Sequence, residues 1–556
     1  MRYPVAIVLA AALGTPTMHP PQPPTRATLI VVNARIWTGD PARPWAQAIA
    51  VRGDRLVAVG TSAEAAKWKS DSTRTIDAKG ALLVPGLIDA HVHAVDAGFA
   101  LRSVQLHDAM SRQQLASTLA AYAHNQPPGT WIVGGRWDHT HWGGELPTRQ
   151  WIDSVTPNNP VWIQRVDGHM GLANTIALTT AHVTRTSHVD GGEIVHDANG
   201  EPTGILKDNA MGLIDRAMPD MTTEQYDRAL DTATAYLAER GVTAVTNMGY
   251  SWADFETFRR ASAAGRLKTR FYAVVPLRDW AKLRDTVAAL GRGDAWVHWG
   301  GLKGFADGSL GSHTAWMLTP FTDAPKDTGL QVTPPELLYT WAKAADQAGL
   351  QVMVHAIGTK ANRSMLDIYE RIEKENGPRD RRFRIEHAQH LTPEDIPRFG
   401  QLGVIASAQP YHAIDDGRWA EKIIGHERAK TTYPFRTLLD THARLAFGSD
   451  WDVAPPTPIE GIYAAVTRRT LDDAHPDGWI PEQKITVAEA LEAYTRTAAY
   501  AMFADTELGT LSVGRLADFV LIDRDLFKIP PAEIRDAKIL MTVVGGNVVY
   551  ERTGVH

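Results

Sequence analysis

Two histidines end one apolar run near the start of the chain. The run GLIDAHVHAVD, residues 86–96, carries His91 and His93 directly after its apolar residues. Alternate residues of a β-strand point to the same face, so the two imidazoles are expected to project together. Such a pair supplies half of a tetrahedral divalent-metal site. Two histidines that only form hydrogen bonds in a core would have the same spacing, so the pair alone does not separate the two interpretations.

Four further residues of metal-compatible type stand at the ends of later apolar runs. Lys303 lies in GLKGFADG, His355 ends LQVMVHA, His387 ends RFRIEHA and Asp450 ends RLAFGSD. Imidazoles and carboxylates are the nitrogen and oxygen ligands that zinc takes in proteins without cysteine. This recurrence favours a metal site that is assembled from several strand ends.

The elements that must position these residues alternate between strand-like and helical runs. Helical stretches such as 223–240 and 334–348 separate most of the strand-like runs, which indicates parallel strands with crossover helices. We therefore predict an α/β fold in which residues 85–505 form a (β/α)8 TIM barrel, with its chemistry at the carboxyl ends of the strands. The alternative is an open doubly wound sheet, but the glycine-rich phosphate turn typical of that fold does not follow GLIDAHVH. Eight runs are the predicted barrel strands: 86–93, 241–249, 270–276, 297–308, 350–358, 382–390, 403–412 and 444–452.

Short strands with alternating polarity lie at both ends of the chain. Residues 27–84 and 506–556 share this texture, which predicts one small β-sandwich domain built from both termini. Residues from about 125 to 210 interrupt the barrel pattern and are interpreted as an insertion that caps the barrel mouth. The insertion contains five tryptophans, which suggest that the substrate has a partly apolar group. The alternative is that they only fill the core of a structural lobe. They are Trp131, Trp137, Trp142, Trp151 and Trp162.

Composition excludes several classes of partner and chemistry. The 556 residues carry 57 basic and 63 acidic side chains, for a net charge of −6, which does not favour nucleic acid as a partner. There is no cysteine, so disulfides, thiolate metal ligands and a cysteine nucleophile are excluded. No apolar run reaches the roughly 20 residues that span a bilayer. The sequence leaves the oligomeric state open.

The first 26 residues combine a short apolar run with a Pro-rich linker. One arginine, an apolar stretch and small residues resemble a secretory signal, which predicts an exported or periplasmic protein. The alternative is a disordered extension of a cytoplasmic protein, because the basic region is a single residue.

The motifs together resemble the metal-dependent amidohydrolase superfamily, over roughly residues 28–551. GLIDAHVH, KGFADGSLGSHTA, VHAIG, RIEHAQH and GSDWDVAPPTPIEG are similar to its branch of N-substituted formamide deformylase-like hydrolases. The resemblance implies that His91 and His93 hold a first, buried metal. It also implies that His355 and His387 hold a second metal and that a carboxylated Lys303 bridges the two. Asp450 would contact the first metal and act as the catalytic proton acceptor, and His169, in DGHMGLANT, would lie near the substrate.

This resemblance implies hydrolysis of a non-peptide, amide-like carbon–nitrogen bond in a small molecule, with one or two zinc ions. Zinc lowers the pKa of a bound water to about 7, which provides a hydroxide nucleophile. One alternative is a mononuclear deaminase of the same fold, which commonly has Glu where this chain has Gly358. The other alternative is a non-catalytic ligand-binding protein on this scaffold.

The chain departs from the family pattern beside the motif residues. Thr359 and Lys360 replace a common Asp-Arg pair, and His313 and Asp452 replace an Arg and a Pro. The expected metal ligands are retained, so these departures put the substrate in doubt rather than the metal site.

Overall fold

Eight parallel strands form the centre of the molecule. The computed structural model describes residues 26–553, so the predicted signal-like segment lies almost wholly outside the described residues. The strands follow one another around the sheet in chain order, and a bridge from Val92 to Trp451 brings the first beside the last. This sequential order confirms the predicted TIM barrel over the doubly wound sheet. The barrel strands are β1 (Leu87–Val92), β2 (Val242–Met248), β3 (Arg270–Pro276), β4 (Val297–Phe305), β5 (Gln351–Ala356), β6 (Arg384–His387), β7 (Ile405–Ala408) and β8 (Arg444–Phe447).

The barrel strands read as continuous apolar runs because helices cover their outer face. Every residue of β1, β2 and β5 is buried. None of the helices in the described part of the chain is both long enough and apolar enough to cross a membrane. The helices of this region are Ala94–Ala100, Thr223–Glu239, Trp252–Ala263, Trp280–Leu290, Pro335–Gln347, Thr359–Asn376, Ile396–Leu402, Pro410–Asp416, Ala420–Ile424, His426–Ala429, Phe435–Asp440, Pro458–Thr467, Val487–Ala493 and Arg496–Ala501.

A β-sandwich joins the two ends of the chain, as predicted. Strand Phe519–Ile522 pairs antiparallel with Leu82–Pro85, so C-terminal residues complete a sheet that begins near the N-terminus. Ile36, Val51 and Leu521 share one apolar core between the two sheets. The four-stranded sheet consists of Arg55–Gly60, Ala48–Arg52, Leu29–Val32 and Arg74–Asp77, with helix Ser62–Ala66 beside it; the six-stranded sheet consists of Asn547–Glu551, Ile539–Val544, Phe519–Ile522, Leu82–Pro85, Arg35–Trp37 and Trp45–Ala46.

The segment between β1 and β2 forms a separate six-stranded sheet. This sheet begins at Val104, ahead of the interruption expected at about residue 125. The difference arises because helix Arg112–His124 packs Leu115 and Leu119 into the core of this sheet. In sheet order its strands are Gly192–His196, Pro202–Asp208, Met170–Ala173, Val161–Arg165, Ile132–Trp137 and Val104–Gln105, and its other helices are Thr175–Thr180 and Gly212–Asp215.

The tryptophans of this insertion pack inside the insertion itself. Trp137, Trp151 and Trp162 are buried in its two apolar cores, and Trp131 and Trp142 pack against them. The indole N–H of Trp137 donates to the Ile163 carbonyl at 2.9 Å, and that of Trp162 donates to Asp215 at 2.9 Å. These side chains therefore stabilise the insertion.

Candidate metal centre

The predicted metal ligands come together at the carboxyl ends of the barrel strands. A cleft with an empty volume of ≈ 590 Å³ opens there, between the barrel loops and the insertion. The barrel contributes His355, His387, His412 and Asp450 to its wall, and the insertion contributes His169 among others. The six residues predicted as ligands are all buried: His91, His93, Lys303, His355, His387 and Asp450.

His91, His93 and Asp450 form one compact donor group. Their candidate ligand atoms all lie within 4.8 Å of one another. Asp450 Oδ1 is 3.2 Å from His91 Nε2 and 3.3 Å from His93 Nε2. The other ring nitrogen of His91, Nδ1, is 2.7 Å from the carboxylate of Glu386, which in turn accepts hydrogen bonds from Arg384. Donation from Nδ1 to Glu386 leaves the Nε2 lone pair of His91 free for a metal.

A tight turn after β8 brings Asp450 to this group. Asp450 has φ 60°, a left-handed conformation that Asp tolerates better than most residues. Its backbone N–H donates to the His91 carbonyl at 2.8 Å. Gly448 lies so close to β1 that a Cβ there would be 2.6 Å from His91 N. The sequence GSD therefore combines a residue without a side chain with one that accepts positive φ.

Asp89 joins the same turn to β1. Its Oδ1 accepts from the backbone N–H groups of Ser449 and His91, at 2.8 and 3.2 Å. Its Oδ2 accepts from the Ser449 hydroxyl at 2.5 Å. The carboxylate thus fixes the backbone of a candidate ligand relative to the turn that carries Asp450, and burial raises the pKa of Asp89 to about 6.

The electrostatics of the group suit a cation. Burial lowers the pKa of His93 to about 4, which keeps its imidazole neutral at pH 7. Burial alone would raise the pKa of Asp450, but His91 and His93 outweigh it and hold that pKa well below its usual range. A neutral imidazole, as at His93, and an ionised carboxylate, as at Asp450, are the states in which these residue types bind metals.

Lys303 lies next to His91 at the end of β4. Its Nζ is 3.3 Å from His91 Nε2, and burial lowers the pKa of its amine to about 8. A lysine whose ammonium is disfavoured presents a larger neutral fraction, and that form is the one that reacts with carbon dioxide. The position and the lowered pKa are both compatible with the carboxylation that the family resemblance implies.

His387, His412 and Asp450 form a second donor group, whose candidate ligand atoms also lie within 4.8 Å of one another. His387 adopts φ 73° at the end of β6, where the chain leaves the extended conformation. Its Nδ1 is 2.8 Å from Gln409 Oε1. His412 was not among the predicted ligands. The only signal in the sequence was its position at the end of the strand-like run GVIASAQPYH.

His355 and His169 lie beside these groups. His355 Nε2 contacts the Gly308 carbonyl at 2.9 Å, and its ring centroid is 4.5 Å from that of His387. His169 reaches the cleft from the insertion, with its ring 4.9 Å from that of His355. Its Nδ1 is 2.7 Å from Asp208. Burial alone would lower the pKa of His169, but Asp208 outweighs it and raises that pKa.

Tyr250 is a further residue at this site that the sequence did not indicate. It follows the carboxyl end of β2, stacks on the His93 ring at 4.6 Å and places its hydroxyl 3.3 Å from His93 Nε2. The side chain is half exposed. Its signal was only that it follows a barrel strand in NMGYS, a place that many noncatalytic residues also occupy.

The residues that depart from the family pattern make contacts outside the two donor groups. Asp452 forms an ion pair with Arg136 of the insertion. Lys360 lies 4.6 Å from the centroid of the Trp316 ring, and His313 pairs with Asp323 at 3.0 Å. Asp452 therefore links the barrel mouth to the insertion, whereas Lys360 and His313 act at a distance from the donors.

Comparisons with known proteins agree with this geometry. The model of the amidohydrolase family matches residues 74–550. Protein LONG AFTER FAR-RED 3 of Arabidopsis thaliana is 41% identical over 94% of this chain and 92% of its own length. N-substituted formamide deformylase of Arthrobacter pascens is 29% identical over 95% of this chain and 99% of its own length. The crystal structure of an uncharacterized metal-dependent hydrolase from Pyrococcus horikoshii superposes with a TM-score of 0.74 at 27% identity, covering 91% of this chain and 99% of that one.

Proposed function

This chain belongs to the amidohydrolase family, and we propose that it hydrolyses a non-peptide, amide-like carbon–nitrogen bond in a small molecule. The observation that carries the proposal is that His91, His93 and Asp450 place candidate ligand atoms within 4.8 Å of one another at the carboxyl end of the TIM-barrel sheet. The fold resembles that of a metal-dependent hydrolase. That end of the barrel is where enzymes of this fold have their active sites. The deformylase relative supports a carbon–nitrogen bond as the target.

The donor set fits a divalent ion of the zinc type. Imidazole nitrogens and a carboxylate suit zinc, whereas magnesium and calcium prefer oxygen ligands alone. His91 and His93 both turn Nε2 toward Asp450 Oδ1, at 3.2 and 3.3 Å, as ligands of one ion would. We propose His91, His93 and Asp450 for one ion, and His355, His387 and carboxylated Lys303 for a second. A bound ion of this type lowers the pKa of a coordinated water and polarises a carbonyl.

Asp450 is the proposed proton acceptor. Its carboxylate stays ionised at neutral pH, because the neighbouring histidines lower its pKa although burial opposes them. It can therefore take a proton from the attacking water and return that proton to the leaving nitrogen. An uncharged side-chain amide in place of this carboxylate could not accept the proton, so this step would be lost.

His169 is proposed to contact the substrate from the opposite wall of the cleft. Asp208 accepts from its Nδ1, which leaves Nε2 available to the cleft. The raised pKa of His169 favours a ring that donates a hydrogen bond, as a developing negative charge on a carbonyl oxygen requires. Because His169 belongs to the insertion, the position of the insertion sets how a substrate is held.

The cleft wall carries both charged and apolar side chains, the latter including Leu310, Trp419 and Val453. Its lining includes the ion pair of Arg165 with Asp167, at 2.7 Å, and the carboxylates of Asp415 and Asp416. The five insertion tryptophans do not line it. The insertion tryptophans therefore give no support to an apolar substituent, whereas Trp419 and its apolar neighbours in the cleft wall do, so polar amides and aryl amides are both suitable first substrates.

A substrate panel tests the proposal. Metal-replete protein is incubated with N-formyl amines, N-acyl amino acids and aryl amides, and the released amine is measured. We expect turnover of at least one class, loss of that activity with a chelator and recovery when zinc is restored. Ammonia release from an amino-substituted ring, with no amide turned over, would replace the proposal with a deaminase. Binding without any turnover would leave a ligand-binding protein.

A further inference from the structure

His412 is a half-buried side chain that could bind a metal and has no role in the proposed reaction. It lies in the first turn of helix Pro410–Asp416, just after β7, and it lines the cleft. Its Nε2 atom is buried and has no hydrogen-bond partner anywhere in residues 26–553. A buried imidazole nitrogen without a partner costs free energy unless something else binds it.

The neighbours of His412 supply the remaining donors of a cation site. Asp450 belongs to both donor groups: its Oδ1 faces His91 and His93, and one of its carboxylate oxygens lies within 4.8 Å of a ring nitrogen of His387 and of His412. Gln409 Oε1 accepts from His387 Nδ1 at 2.8 Å, which leaves the other ring nitrogen of His387 free. Hydrogen bonding at one ring nitrogen is the usual way in which a protein orients a metal-binding histidine.

The spacing of these atoms fits one ion. Ligands at about 2.0–2.2 Å from a zinc ion lie at most about 4.4 Å from each other. The atoms of His387, His412 and Asp450 all lie within 4.8 Å of one another, so little movement would complete the coordination. His412 is held in this place by its position in a helix that begins with Pro410, and its ring lies nearly parallel to that of His387, at 6.4 Å.

We propose that His412 is a ligand of a divalent ion that it shares with His387 and Asp450. The barrel site would then draw a ligand from the helix after β7, in addition to those from β1, β4, β5 and β6 and from the segments that follow β1 and β8. The inference rests on the proposed function and deepens it, since both place the second ion on His387, but it concerns which further residues hold that ion and not which bond is cleaved.

Cobalt titration tests the assignment directly. Metal-free full-length protein is titrated with Co²⁺ while bound metal is counted by elemental analysis and the visible d–d absorption is recorded. Wild type should bind about two ions. His412→Ala should keep the first ion and bind the second at least about tenfold more weakly, since even residues that only orient ligands cost 10–100-fold. Free imidazole should restore part of the lost affinity and absorption in this variant.

Two matched variants separate ligation from folding. His169→Gln changes another histidine of the same cleft, one whose Nδ1 is already bonded to Asp208, and should leave both Co²⁺ affinities unchanged. His412→Asn keeps a polar side chain of smaller size and should weaken the second ion as His412→Ala does. Should His412→Ala fail to fold by circular dichroism, His412→Asn with imidazole gives the same measurement.

The outcomes are decisive for His412 whether or not the substrate panel succeeds. Unchanged affinity for the second ion in His412→Ala, or binding of a single ion by wild type, would overturn the inference. Loss of turnover at unchanged affinity would assign His412 to the substrate instead. If no amide is hydrolysed while the Co²⁺ dependence on His412 holds, the proposed function fails and the ligand assignment stands.

Discussion

The barrel mouth and the insertion above it are both rich in residue types that could bind a metal or a substrate. The two regions differ in whether the polar atoms of those residues have hydrogen-bond partners. At the mouth, His91, His93 and Asp450 turn candidate ligand atoms toward one another within 4.8 Å, and His93 keeps a buried Nδ1 that has no hydrogen-bond partner among the described residues. In the insertion, Trp137 and Trp162 bury their rings and satisfy their indole N–H groups with Ile163 and Asp215.

Whether a buried polar atom has a hydrogen-bond partner therefore distinguishes a binding site from a structural core better than the residue type does. Buried polar atoms in proteins nearly always have a partner. Trp137 and Trp162 follow that rule, whereas His93 and His412 each keep one buried ring nitrogen without a partner among residues 26–553. Substitutions in the two regions should therefore have different consequences: loss of ions or rate at the mouth, and loss of stability in the insertion.

The largest effect is expected for Asp450→Asn at the mouth. The amide has nearly the same size but is too weakly basic to accept the water proton, so turnover should fall by about 10² to 10⁴. Most of the bound metal should remain, because the histidines stay in place. Turnover, metal content and melting temperature measured on one preparation check this. A metal-replete variant that works within about threefold of wild type would make Asp450 a structural residue.

In the insertion, Trp162→Ala should cost stability and leave the metal in place. Trp162 is 1% exposed, and loss of a buried tryptophan costs about 3–5 kcal/mol. Chemical denaturation followed by hydrogen exchange in residues of the insertion checks the loss, with Trp162→Phe as the conservative control. If Trp162→Ala lost bound metal but kept its stability, the insertion would not be a purely stabilising region.

Gly448→Ala should affect the mouth through the backbone. The added Cβ would meet His91 N at 2.6 Å, and overpacking of this kind costs about 1–3 kcal/mol. Because His91 must shift, metal affinity should fall with stability. Gly212→Ala is the matched control, since its nearest neighbour is the flexible end of Arg216 at 3.2 Å. Equal metal affinities in the two variants would argue against this contact.

The smallest effect is expected for Lys360→Ala. Its ammonium lies 4.6 Å from the Trp316 ring, at an exposed position, and such contacts contribute less than about 1 kcal/mol. Metal content and turnover should stay at the wild-type level, since Lys360 does not line the cleft. A substantial change in either would show that the family departure at this position reaches the site.

Much of the barrel could be predicted from the sequence, because each strand is a short apolar run that ends in a residue with a distinct chemistry. His91 and His93 stood out through their spacing, and Lys303, His355, His387 and Asp450 through their places at strand ends. His412 also ended a predicted strand-like run but was not recognised as a ligand; the strand stops at Ala408, and His412 lies in the helix that follows. Its role depends on contacts with residues from β6 and β8.

The sheet of the insertion was harder to predict for a different reason. Its strand Ile132–Trp137 contains Gly134 and Gly135, both with positive φ, and pairs with its neighbour through a register shift. These features remove the regular alternation by which a strand is recognised in sequence. The pairing partner Val104–Gln105 is only two residues long, so the start of the insertion could not be placed.

Metal content is the most direct test of a site built from strand ends, and it needs no knowledge of the substrate. Protein from metal-supplemented culture is compared with the double variant His91→Asn/His93→Asn by elemental analysis after gel filtration. We expect about two divalent ions per chain in wild type and the loss of at least the one held by these histidines in the variant. Wild type with no bound divalent ion, or a folded double variant with the wild-type content, would contradict a metal centre at this end of the barrel.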